Sequence, residues 1–232
     1  MSMRKTLAIF QKQIKDTFKN KAVFIQFIMF PAMGVIMKNA VKIDGMPENY
    51  FIILFASMYL AMAPITCMAE IIAEEKEKNT LRVLLMSNVK PAEYLIGVGS
   101  YIWLICMLGS IVFAITGDYK GASILQFLLI MAIGIMISTL IGAAIGTWSK
   151  NQMTATSITV PVMIIFSFLP MLSTFNSTIK KFGTVIYSEQ INLLMNDIGN
   201  LQIKSESVIV IIVNLVIMLG LFVYAYRRSG LA

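Results

Sequence analysis

Apolar residues along this chain come in long unbroken runs. Charge-free windows cover 22–37, 49–69, 94–117, 121–149, 151–179 and 207–226. A helix needs about 20 apolar residues to cross the hydrocarbon core of a bilayer. Five windows reach that length. The first is shorter, but Lys38 and Lys42 can snorkel and carry it to about residue 41. The pattern predicts an all-α polytopic membrane protein with six transmembrane helices.

Two segments outside the windows also carry a pattern. Met3, Leu7, Phe10, Ile14 and Phe18 recur at spacings of three and four, and Lys5, Lys12, Lys15 and Lys19 lie mostly off that stripe. This predicts an amphipathic helix over 3–20, lying in the inner headgroup layer. The run that follows ends in Met37-Lys38-Asn39-Ala40 and has no small-residue cleavage site, so a retained span is expected and not a signal peptide. Residues 176–206 mix Ile186, Ile191, Leu193, Leu194, Met195, Ile198 and Leu201 with polar positions. That is too short and broken to span, and short helices dipping toward the outer leaflet are expected.

Charge sets the orientation. Thirteen Lys and Arg fall on the side of the termini and of the loops after the second and fourth spans, against six on the other side. The positive-inside rule puts both termini in the cytoplasm, with 176–206 outside. Trp148, Tyr224 and Tyr226 fall near window ends, where an aromatic belt would lie. The chain is 58% apolar and 13% charged, too greasy for a soluble domain of 232 residues. Its net charge of +7 sits at span ends. Membrane lipid is therefore the expected partner of that charge, and nucleic acid is not.

Little catalytic chemistry is available. There is no histidine, no G-x-x-x-x-G-K-[ST] loop, and only two cysteines, Cys67 and Cys106, both in apolar runs. No metal site and no catalytic residue are expected. The third to sixth windows carry no Asp, Glu, Lys or Arg, which argues against ion coupling through a midplane carboxylate.

One charged island remains, between the second and third spans. Glu74, Glu75, Lys76, Glu77 and Lys78 make a charged turn, and Asn79 tolerates left-handed backbone. Thr80 is then placed to cap a short helix with Leu81, Leu84 and Leu85 on one apolar face. Such a helix, set at an angle to its span, suits a protein groove.

The island resembles a segment of the six-span permeases of type-2 ATP-binding-cassette (ABC) exporters, E-R-E-x-G-T-L-x-x-L-L-x-x-P-V-x-x-x-E-x-x-x-G-K. This chain has Glu75, Glu77, Thr80, Leu81, Leu84, Leu85, Val89, Glu93 and Gly97 in register, with Asn79 for Gly, Asn88 for Pro and Val98 for Lys. The basic leader and the early Pro31 of the first span are similar too. The resemblance implies one permease domain over 1–232, with a coupling segment at 73–93. It implies two such chains, identical or homologous, on a pair of separate ABC ATPase subunits. ATP and magnesium would sit on those subunits and no cofactor in this chain. ATP-driven closure would then push the segment and rock the spans. Glu74, Glu75, Glu77, Thr80, Leu81, Leu84 and Leu85 are the implied coupling residues.

Spans two and five line the path in such permeases, which implies Ser57, Met58, Met62, Thr156, Thr159, Met163, Phe166 and Ser167. These are apolar or hydroxylic, and methionine is adaptable. A hydrophobic or amphipathic cargo is expected to leave the cell: a peptide, an antibiotic or a lipid-like molecule. A bacterial cytoplasmic membrane is the expected location. The competing readings are an ion exporter or secondary transporter, and a non-transporting sensor or scaffold subunit.

Overall fold

The computed structural model describes residues 2–19, 21–41, 45, 47, 49–198 and 205–228. The described residues form ten helices and no strand. In order these are α1 (Met3–Lys19), α2 (Lys21–Ala40), α3 (Tyr50–Glu77), α4 (Thr80–Met86), α5 (Pro91–Thr116), α6 (Ala122–Trp148), α7 (Gln152–Phe175), α8 (Ser177–Gly183), α9 (Tyr187–Asn196) and α10 (Ser205–Arg228). Five of them, α3, α5, α6, α7 and α10, are long and apolar enough to cross a membrane; α2 carries a shorter apolar run, Phe24–Ala40. Lys42, Leu201 and Lys204, the last among the six basic residues counted on the outer side, lie outside the described residues.

The bundle is built around α3. This helix packs against α2, α5, α6, α7 and α9, and its side chains are buried on nearly every side. Its closest neighbour is α6, and glycine makes that approach possible. A Cβ at Gly142 would lie 2.5 Å from the Ile65 carbonyl oxygen, and one at Gly146 would lie 2.9 Å from that of Ala69. Four residues apart, the two glycines share one helix face and let the backbones nearly touch. By contrast, α7 and α10 are peripheral. Ile164, Ile165 and Phe168 on α7, and Ile209, Val216 and Ile217 on α10, are exposed. A contiguous apolar surface of this kind belongs against lipid.

Among the described residues, three non-glycine positions adopt left-handed backbone: Asn79 (φ 56°), Asn88 (φ 64°) and Asp118 (φ 55°). Each follows a helix end. After α4 the Asn88 N–H donates to Leu85 O and the Val89 N–H to Leu84 O, which satisfies two orphan carbonyls. After α5 the same pair of bonds runs from Asp118 to Ile115 and from Tyr119 to Ala114. Asn and Asp tolerate this conformation better than other side chains. Asn88 therefore makes the turn for which the resembled segment has a proline. Asn79 itself stands at the start of α4. Thr80 does not cap that helix: its hydroxyl donates backward to Glu75 O at 3.2 Å.

The two ends of the bundle are pinned differently. At the end opposite α4, Lys38 at the close of α2 donates to Thr116 O and pairs with Asp118 Oδ2 at 2.5 Å. The lysine holds the Asp118 carboxyl below its usual range, first through the hydrogen bond and then through its charge. At the α4 end, Trp148 meets the Tyr224 ring edge-on at 6.4 Å.

Candidate functional site

The charged island folds into two staples and one exposed surface. The first staple joins α3 to the α6–α7 connection. Lys76 Nζ donates to Thr147 O (2.7 Å) and Ser149 O (2.5 Å) at the end of α6, and Glu77 Oε2 accepts from Gln152 N (2.9 Å) at the start of α7. A cation thus sits at a helix C-terminus and an anion at a helix N-terminus, the favourable sense for both dipoles.

The second staple joins the island to α1. Glu75 is 6% exposed and turned inward, and its Oε1 accepts from Lys12 Nζ (2.5 Å) and Gln13 Nε2 (2.9 Å). Burial lowers the Lys12 pKa, but the Glu75 hydrogen bond and charge outweigh this and leave it above its ordinary value. Glu93 is 2% exposed; it accepts from the Ser2 N–H (2.5 Å) and, at the start of α5, from the Lys90 N–H (3.1 Å). Gly97 lets α1 cross α5, since a Cβ there would meet Ile9 at 2.9 Å and Thr6 O at 3.0 Å. Lys5 donates to Asn88 O, and the Tyr101 hydroxyl donates to Thr17 Oγ1. Three residues of the resembled segment, Glu75, Glu93 and Gly97, are therefore engaged by the leading helix.

These contacts come from the side of α1 turned away from Met3 and Leu7. Met3 and Leu7 are exposed, whereas Ile9, Gln13 and Thr17 are buried against the bundle; Phe10 and Ile14 are half-buried between the two faces. The Phe18 side chain lies outside the described residues.

The structure corrects the face expected for α4. Leu81 is buried, and Leu84 and Leu85 pack against the core with it. The outward side chains are Arg82, Val83 and Met86, the last two 62% and 79% exposed. Glu74 forms an i,i+4 pair with Lys78. Of the acidic residues singled out, Glu75 cannot reach a partner protein, because α1 covers it.

The expected path residues divide between burial and lipid. On α3, Ser57 and Met58 are buried and Met62 is half-buried; on α7, Thr159 and Ser167 are buried, Met163 and Phe166 half-buried, and Thr156 exposed. α3 and α7 pack directly together, and α9 closes over their far end. Asn192 Nδ2 on α9 donates to Ser57 Oγ at 2.8 Å, and the Phe166 and Tyr187 rings lie 5.2 Å apart. The Tyr187 hydroxyl lies 2.8 Å from Ser138 Oγ on α6. None of these α9 residues was singled out from the sequence. Their signal was an acid, Glu189, in the first turn of an amphipathic segment.

A family model described as ABC-2 family transporter protein matches residues 47–226. The chain belongs to this family. As an ABC-2 chain it is a multi-pass membrane component of an ABC transporter, and the family is a transport component, not itself catalytic. Membership implies association with an ABC ATPase subunit. No curated protein is similar enough to this ABC-2 chain to count as a match. The match begins within the segment before α3, so α3 to α10 fall under the family pattern while α1 and α2 precede it.

Proposed function

We propose that this ABC-2 chain is the membrane permease of a bacterial exporter. It works as a pair of chains, each resting on one subunit of an ATPase pair that binds ATP and magnesium. Its six spans are α2, α3, α5, α6, α7 and α10, with α1 in the inner headgroup layer and both termini cytoplasmic. The Lys and Arg asymmetry supports that orientation. The coupling segment at 73–93, the external loop at 176–206 and the single permease domain over 1–232 belong to the same reading.

The observation that carries the reading is α4. It is a seven-residue helix hung between two long spans by left-handed Asn79 and Asn88, with its leucines turned home and Arg82, Val83 and Met86 turned out. An ATPase groove that grips this face pulls on α3 through the Asn79 turn and the Thr80–Glu75 O bond, and on α7 through Glu77. α7 carries two internal prolines, Pro161 and Pro170, each removing one helical hydrogen bond, so it is the long helix least held by its own ladder. A hydrophobic or amphipathic cargo is consistent with the absence of charge along α7.

The experiment is co-reconstitution with the cognate ATPase in proteoliposomes. ATP-dependent movement of an amphipathic peptide is expected, with loss of both ATPase co-purification and transport in Arg82→Glu/Met86→Asp. Transport that needs no ATP, or an unaffected double variant, would refute the proposal.

A further inference from the structure

The end of the bundle opposite α4 contains a cavity of about 570 Å³ between α3, α7, α8 and α9. Its walls are largely apolar and include Leu54, Pro170, Met171, Phe175 and Leu193. That is the size and character of a site for a small amphipathic molecule.

Into this apolar wall α9 sets a carboxylate. Glu189 lines the cavity and is 3% exposed, and its Oε2 has no hydrogen-bond partner among the described residues. The Ser173 hydroxyl on α7, 4% exposed and also lining the cavity, is the neighbour that favours the charged carboxylate, though neither atom closes a full hydrogen bond. Gly183 at the end of α8 keeps the space beside them open. A Cβ there would come within 3.0 Å of Ser173 Oγ and 3.3 Å of Glu189 Cγ. A buried carboxylate with a free oxygen is unfavourable unless something supplies the missing donor or charge.

We propose that this cavity binds an amphipathic monocation through a protonated amine, whose N–H groups donate to Glu189 Oε2 and Ser173 Oγ while its apolar body lies along the walls. A divalent metal is a poor fit, because among the described residues Glu189 is the only acid lining the cavity and such ions collect several oxygen ligands. An anion is also a poor fit, since the buried ionisable group is the acid. Among the described residues the other ionisable groups lining the cavity are Lys180 on α8, which is exposed, and the Tyr50 phenol on α3. Burial raises the Glu189 pKa against the opposing Ser173 hydrogen bond and Lys180 charge, and a bound ammonium would favour the charged carboxylate in the same sense as those two.

The inference rests on the exporter reading only in treating the ligand as cargo, held at the outer end before release. The test therefore uses the permease alone, in lipid nanodiscs, without ATPase or ATP. The probe is dansylcadaverine, a primary amine on an apolar fluorophore; its N-acetyl derivative has the same body without the charge. Saturable binding of the amine is expected, weakened at least about tenfold by Glu189→Gln, with the acetylated probe weak on both proteins. Gly183→Ala intrudes on the same two side chains from another helix and should weaken the amine too. If Glu189→Gln or Gly183→Ala, folded by size exclusion, binds the amine as the parent does, the proposal is overturned. Equal binding of the acetylated probe overturns it as well. Failure here leaves ATP-driven transport of other cargo untouched, whereas intact amine binding without ATP-driven transport would sink the exporter reading and spare the site.

Discussion

Removing Lys12 should strand a buried carboxylate. Glu75 would keep Gln13 on Oε1 and the buried Tyr94 phenol beside it, with no cation left to match its charge. Deleting one partner of a fully buried pair costs about 3–5 kcal/mol. The Lys12 side chain is 38% exposed, so water reaches one end of the pair and screens it; fully exposed pairs are worth about 0.2–1 kcal/mol. The expected cost of Lys12→Met lies between, about 1–3 kcal/mol. Glu75→Gln keeps the shape and an acceptor for Gln13, and it removes the charge that Lys12 was neutralising. The double variant Lys12→Met/Glu75→Gln should therefore be no less stable than Lys12→Met alone, giving a coupling energy of about 1–2 kcal/mol. Thermal unfolding of the four proteins in one detergent measures the cycle, and trypsin cleavage at Arg4 and Lys15 reports whether α1 has lifted. Additivity within about 0.3–0.5 kcal/mol would refute the claim that α1 is held to the island by this pair.

With Cys67 and Cys106 replaced, cysteines at Asn79 and Asn151 should be shielded from an impermeant thiol reagent in intact cells and one at Ser177 should react; labelling at position 79 would overturn the orientation. Gly142→Leu should greatly reduce the yield of folded protein, because its side chain would enter the α3 backbone at Ile65, whereas Gly220→Leu on α10, with open space around it, should not. Dansylcadaverine affinity should fall as the pH is lowered from about 8 to 5, because the Glu189 pKa is raised above the ordinary carboxyl value of about 4.3 and the protonated acid has no charge to offer. Fluorescence titration across that range would show it, and a flat parent profile, or an equally steep one in Glu189→Gln, would count against it. Aspartate at Met163 should impair transport of an amphipathic peptide more than aspartate at Ile130 does at matched expression; equal damage would remove support for α7 as path.

Long helices and their polar interruptions were readable because lipid imposes a length and forbids charge along it. The left-handed turn at Asn79 was readable because few side chains accept that backbone. The packed faces of the short helices were not. On α1 the apolar stripe through Met3 and Leu7 was legible as a membrane-facing stripe, but Gln13 and Thr17 carried no sign of contact with the bundle. Both are buried, because Glu75 and Tyr101, distant in sequence, supply their hydrogen bonds. The leucines of α4 were assigned to a partner, when the nearer core claims them. Glu75 and Glu77 are two residues apart and read alike, yet one turns to α1 and the other to α7. Glu189 escaped notice because an acid in the first turn of an amphipathic helix reads as an ordinary helix-start residue; only the cavity around it gives it meaning.

Since α3 is helical without a break from Tyr50 to Glu77, its membrane portion and its charged end share one angular phase. Each residue added to or removed from that helix turns Glu75, Lys76 and Glu77 by about 100° relative to Gly142 and Gly146. The spacing between the glycine contact and the island is thus a clock setting, counted in residues. Homologues should vary in the length of the segment before Tyr50 far more freely than in the count from Ile65 to Glu77. A one-residue deletion inside that count should disengage α1 and α7 together, while a deletion of a full seven residues would shorten the helix but bring every charge back near its original direction.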